Sequence, residues 1–192
     1  MIPSQSWRQQ SEGVMSIVTW IKEETIAILS MNNGENRHNL QFAEALNTAL
    51  DEIVADVSVQ GLVLTSSDAK SFSQGADVNW IMTRFQNKDL DQIKEFLYGM
   101  NSVFKKLMLI PMPTVAAVNG HAYGNGAILS CACDYRFMRA DRGFFCFPEV
   151  DLGIPFFYGM NAILKKACPS TNSSKCSLAA TVTQPRSWNG IM

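Results

Sequence analysis

Two glycine-bearing stretches have residue types suited to chemistry: Ser71-Phe72-Ser73-Gln74-Gly75-Ala76-Asp77 and Asn119-Gly120-His121-Ala122-Tyr123-Gly124-Asn125-Gly126. Each follows an apolar, strand-like run and leads into a helix-like one. Small residues at such junctions let backbone N–H groups approach a ligand without side-chain obstruction. If the two loops converge, they aim two N–H donors at one oxygen, the arrangement that stabilises an oxyanion. Taken separately, Gly-Ala-Asp and Gly-Asn-Gly are also ordinary turn chemistry. Convergence in space separates the two readings.

The elements that must position these loops read as strands alternating with helices, an α/β pattern. Residues 16–22 and 25–31 are β-rich runs broken by Glu23-Glu24, which predicts a hairpin. Asn32-Asn33-Gly34-Glu35-Asn36 is loop chemistry. From Leu40, the apolar positions Phe42, Ala45, Leu46, Ala49, Leu50 and Ile53 recur at helical spacing. Gly61-Leu62-Val63-Leu64-Thr65 suits a strand covered on both faces. Helices are predicted over 78–85 and 90–109; Pro111 and Pro113 then end the second and introduce a strand at 114–118. The small, apolar run 124–132 suits a helix buried at the centre. Strands follow at 135–139 and 144–147, then a helix over 157–167 with a basic end, Lys165-Lys166.

The chain of 192 residues favours one domain with a substantial core. A net charge of −1 argues against a nucleic-acid or anionic-membrane partner. No apolar run reaches bilayer-spanning length. The five cysteines, Cys131, Cys133, Cys146, Cys168 and Cys176, form no C-x-x-C pair, and the only histidines are His38 and His121. No metal site is therefore expected, and reduced, buried thiols in a cytoplasmic compartment fit best. Residues 1–14 lack an apolar signal region and read as an extension outside the fold. The last residues, Gly190-Ile191-Met192, do not form a peroxisomal tripeptide.

Four segments in order carry a resemblance: Phe72-Ser73-Gln74-Gly75-Ala76-Asp77, Pro113-Thr114-Val115-Ala116-Ala117-Val118-Asn119-Gly120, Cys133-Asp134-Tyr135-Arg136, and Phe147-Pro148-Glu149-Val150-Asp151-Leu152-Gly153. Across residues 16–167 the chain resembles the crotonase (enoyl-CoA hydratase/isomerase) superfamily. The resemblance implies an α/β fold: a crotonase-like ββα spiral with surrounding helices. It makes residues 15–167 an acyl-CoA domain. Residues 168–192 become a divergent or truncated tail where the family's C-terminal helical part is missing or divergent. It further implies an acyl-CoA thioester as substrate, no separate cofactor, and assembly into a homotrimer or hexamer.

For the site, the resemblance makes the backbone N–H groups of Ala76 and Asn125 the oxyanion donors, although the family often has Gly where Asn125 stands. It makes Glu149 the base; an arbitrary Glu after a Pro would instead be a surface carboxylate. Hydratases of the family carry a first glutamate where this chain has Ile128. A single carboxylate suffices for a 1,3-proton shift, so the chain is most similar to Δ3,Δ2-enoyl-CoA isomerases of fatty-acid oxidation. The alternatives are another acyl-CoA reaction, such as hydration (a lyase activity) or racemisation, or a non-catalytic acyl-CoA binder. CoA contacts carry over to Arg37, His38 and Leu40, then Gln74, Ala76, Asp77 and Val78, with Tyr123 and Ile128 beside the acyl chain. Arg37 meets a phosphate or stands as a solvated charge, and Asp77 is equally suited to cap the following helix. Asn79 replaces a lysine common in the family. Asp134 and Asp151 read as structural, and His121 has no evident Ser or Cys nucleophile to serve.

Overall fold

A computed structural model describes residues 16–149 and 153–167. In chain order the elements are β1 (Val18–Glu23), β2 (Ile26–Met31), β3 (Arg37–His38), α1 (Leu40–Ala55), β4 (Gly61–Ser66), β5 (Ser71–Ser73), β6 (Gly75–Ala76), α2 (Val78–Gln86) and α3 (Leu90–Leu109). They continue with β7 (Thr114–Val118), β8 (His121–Tyr123), α4 (Asn125–Ala132), β9 (Tyr135–Met138), β10 (Phe145–Cys146) and α5 (Tyr158–Ala167). The proposed extension 1–14, the tail 168–192, and Val150, Asp151 and Leu152 of the fourth segment lie outside the described residues.

The main sheet runs β1-β2-β4-β7-β9. The hairpin β1–β2 is antiparallel, and β2–β4, β4–β7 and β7–β9 are parallel. Apolar strand β4 takes the centre, where both edges and faces are covered. Helix α1 begins at Asn39, whose side chain accepts from the Phe42 N–H at 3.0 Å. Its buried face is Phe42, Ala43, Leu46, Ala49, Leu50 and Ile53; Ala45, expected there, is only partly buried. Each large side chain so buried contributes about 1.5–3 kcal/mol, against about 1 kcal/mol for the cap. The apolar face therefore holds α1 in place.

Two smaller sheets create the site. One is parallel, ordered β10-β8-β5, and the other pairs β3 with β6. The stretches read as loops from sequence are thus partly strand. Runs of two or three residues are too short to show an alternating pattern, and their pairing depends on neighbours remote in the chain. Helix α4 is buried at every residue. It packs among α3, α5 and the small strands, so a largely apolar, charge-free composition, with Asn125 and Ser130 its two polar residues, suits its position. Asp134 ties α5 to the sheet. Its Oδ2 accepts from the Thr114 N–H and Oγ1, each at 3.0 Å, and its Oδ1 accepts from Lys166 Nζ at 3.0 Å.

Candidate active site

The first loop turns at Gly75, whose φ of +77° suits glycine. A Cβ there would lie 2.5 Å from the Tyr123 carbonyl oxygen and 3.2 Å from the Asn125 nitrogen. The two glycine-bearing stretches therefore touch, backbone to backbone, at the residues on which the sequence reading depends. The Asp77 N–H donates to His38 O at 2.8 Å. Parallel strands bond through alternate residues, so the Ala76 N–H points away from β3. Asn125 is the first residue of α4. Its N–H belongs to the helix's unpaired first turn, where the peptide dipoles favour negative charge. Gly124 precedes it with φ +51° and ψ −120° and supplies no side-chain cap.

Over this turn sits Glu149. A Cβ on Gly124 would be 2.7 Å from Glu149 Oε1, so the carboxylate occupies the space that a side chain would fill. Glu149 Oε2 is buried and has no hydrogen-bond partner. Burial pushes the Glu149 pKa up from the ordinary 4.5. The chain around it is anchored by the Ile154 N–H, which donates to Glu149 O at 2.8 Å. A desolvated carboxylate with a bare oxygen, seated beside the first turn of α4, can take a proton from a carbon next to a carbonyl.

The other sequence-predicted residues fall into two groups. The β3–β6 ladder brings Arg37, His38 and Leu40 alongside residues 74–78. Within this group Arg37 pairs with Glu35 at 3.0 Å. Gln74 Nε2 donates to Ser71 Oγ at 3.0 Å, and Asp77 Oδ1 caps α2 by accepting from the Trp80 N–H at 3.0 Å. Val78 is exposed and Leu40 packs partly against the core. His38 is wholly buried, and its carbonyl is already taken by the Asp77 N–H. Tyr123 stands with the amides through its carbonyl, and burial raises its phenol pKa, with Cys146 adding to the rise. Ile128 is wholly buried one turn into α4. Its N–H donates to Gly124 O at 3.0 Å. Missed from sequence were Ser73, which meets both His38 and Gly126, and the seat of Glu149 on Gly124. Nothing in the linear pattern joins such distant residues. Among the described residues no group of His, Cys, Asp or Glu is arranged to hold a metal, and no helix is long and apolar enough to cross a membrane.

The family model for enoyl-CoA hydratase/isomerase matches residues 21–186. The chain belongs to that family. It is 35% identical over 133 residues to enoyl-CoA delta isomerase 1, peroxisomal, of Arabidopsis thaliana, a match covering 68% of this chain and 53% of the relative. It is 32% identical over 142 residues to a short-chain-enoyl-CoA hydratase of Clostridium acetobutylicum, covering 72% and 52%. A match to the fatty acid oxidation complex subunit alpha of Psychrobacter arcticus is 38% identical over 131 residues but covers only 17% of that protein. The chain thus spans about half the length of the isomerase and hydratase relatives. A solved chain from Legionella pneumophila, assigned to the enoyl-CoA hydratase/isomerase (crotonase) group, superposes with a TM-score of 0.80 at 25% identity. That superposition covers 91% of this chain and 67% of the other. The crotonase-like α/β fold expected from the sequence is therefore the one observed.

Proposed function

We propose that this chain carries the reacting centre of a Δ3,Δ2-enoyl-CoA isomerase. The observation that carries the reading is the Glu149 carboxylate, seated on Gly124 with a buried, unpartnered oxygen. The thioester carbonyl of a 3-enoyl-CoA accepts from the Ala76 and Asn125 amides. Glu149 removes a proton from C2, and the electron pair delocalises directly onto the carbonyl oxygen and, through the C3–C4 double bond, onto C4 as a dienolate. Glu149, now the acid, returns the proton to C4, giving the conjugated 2-trans-enoyl-CoA. Each preorganised donor is worth about 3 kcal/mol to such an anion. The raised pKa of Glu149 brings both its acid and base forms within reach.

Isomerisation is favoured over hydration by α4. The helix from Asn125 to Ala132 has no acidic residue, and Ile128 is wholly buried in it. Adding water across a double bond needs a positioned water as well as a proton donor, work suited to a carboxylate pair. The test gives the purified chain a 3-enoyl-CoA and a 2-enoyl-CoA in separate assays, with Glu149→Gln alongside. Formation of the conjugated thioester, lost in the variant, supports the reading. Consumption of 2-enoyl-CoA to the 3-hydroxy product at a comparable rate would replace it with hydration. Binding of acyl-CoA with neither conversion would make the chain a non-catalytic binder.

A further inference from the structure

Behind the Gly75 turn lies a buried polar cluster of Asn36, His38 and Ser73, each 0% exposed. Ser73 Oγ donates to Asn36 O at 2.8 Å, accepts from the Gly75 N–H at 3.0 Å, and lies 2.8 Å from His38 Nε2. A hydroxyl has one proton and two lone pairs. The Asn36 carbonyl takes the proton and the Gly75 amide one lone pair, so His38 Nε2 must bring a proton to the other. The ring is stacked on Phe42 at 4.7 Å between centroids, and its Nδ1 has no partner. Burial lowers the His38 pKa to about 3, which keeps the ring neutral and Nδ1 bare. This assignment excludes a serine nucleophile. A ring nitrogen that already carries the shared proton cannot accept one from Ser73, and neither residue is open to a substrate.

Ser73 also reaches the second loop. A Cβ on Gly126 would lie 2.7 Å from both Ser73 Oγ and Ser73 Cβ. One side chain therefore touches Gly75, just before Ala76, and Gly126, just after Asn125. We propose that His38, acting through the Ser73 hydroxyl, is a positioning residue that sets the spacing and direction of the Ala76 and Asn125 amides. The inference rests on the oxyanion role proposed for those amides. With the His38 N–H in place, all three sites of the Ser73 hydroxyl are used and its rotor is fixed. Without it, one buried lone pair is left empty and the hydroxyl is free to leave either of its remaining partners. Oxyanion donors must stand within a few tenths of an ångström of their best distance, so loosening the hub weakens both.

The test compares His38→Phe, which keeps the stack but loses the donor, with His38→Gln, which keeps an N–H donor. Each is assayed for 3-enoyl-CoA isomerisation, and the carbonyl stretch of bound, carbonyl-labelled hexanoyl-CoA is recorded by infrared difference spectroscopy. His38→Phe is expected to lose about tenfold in kcat, since a misplacement of 1 Å costs about a hundredfold, with KM changed less than about twofold. Its bound carbonyl moves toward the frequency of the free thioester, and His38→Gln restores most of both. If His38→Phe does not fold, Ser73→Ala must show the same kcat and carbonyl changes. A folded variant with parental kcat and carbonyl stretch would overturn the proposal, as would His38→Gln being as impaired as His38→Phe. The carbonyl reading needs no turnover, so it separates two failures. A polarised carbonyl unchanged by the variants removes only the positioning role. A free-like carbonyl in the parent removes the oxyanion reading and this inference with it.

Discussion

Gly124→Ala places one methyl group where the seat of the Glu149 carboxylate leaves no room for it. The new Cβ would stand 2.7 Å from Glu149 Oε1, and ordinary contact begins near 3.4 Å, so the carboxylate must retreat. It is the far end of a flexible side chain and can do so. The fold therefore survives, and the cost falls on the chemistry. Misplacing a reacting group by about 1 Å costs about a hundredfold, so kcat should drop between about tenfold and a hundredfold. The backbone contributes separately: φ +51° with ψ −120° is glycine territory, and holding alanine there costs about 1–3 kcal/mol. For a domain of this size, each kcal/mol lowers Tm by about 2–4 °C. The assay follows conversion of 3-enoyl-CoA in the parent, Gly124→Ala, Glu149→Gln and the double variant, with Tm for each. If alanine acts by displacing the base, the double variant is no slower than Glu149→Gln alone. A folded Gly124→Ala protein with parental kcat would refute the reasoning. So would a Gly124→Ala loss as large in the Glu149→Gln background as in the parent.

Burial of Glu149 has two pH signatures. In the role proposed for it Glu149 must be ionised, so kcat/KM should fall as pH drops through a pKa above the ordinary 4.5, and Glu149→Gln should remove that limb. Because the folded-state pKa is raised, the carboxyl favours folding only while protonated, and that contribution is lost as pH rises through the folded pKa. Glu149→Gln should therefore raise Tm at about pH 7 and leave it unchanged at about pH 3, below the unfolded value; equal effects at both would contradict this, and thermal scans decide it. Gly75→Ala and Gly34→Ala form a contrasting pair. Both glycines have positive φ, +77° and +53°. A Cβ on Gly75 meets backbone at 2.5 Å, whereas nothing lies within 4 Å of one on Gly34. Gly34→Ala should lower Tm by the backbone strain alone, about 1–3 kcal/mol, and keep parental kcat. Gly75→Ala should lower Tm further and lower kcat as well, as thermal scans and turnover would report.

Helical periodicity located the buried face of α1, and Pro111 and Pro113 correctly bounded α3. The apolar run at 61–65 correctly marked a strand, β4, and the sheet order places it at the centre. These features depend on patterns within one element, which neighbouring residues along the chain are enough to write. The glycines of the two loops were also legible, because small residues before a helix are a local signal. Their meeting was not. The contact of Gly75 with Tyr123 and Asn125, the seat of Glu149 on Gly124, and the His38–Ser73–Gly126 hub join residues far apart in the chain. The strands β3, β5, β6 and β8, two or three residues each, likewise exist only because partners from elsewhere complete their ladders, whereas β10 falls within the strand expected at 144–147. His38 makes the division plain: by itself it reads as a polar residue near a ligand loop, and in the fold it is a neutral donor sealed behind that loop. The sequence by itself determined which elements form and which residue types stand ready for chemistry. Only the tertiary structure decided which of them meet, because burial, pKa and hydrogen-bond direction belong to the surroundings of a side chain rather than to its name.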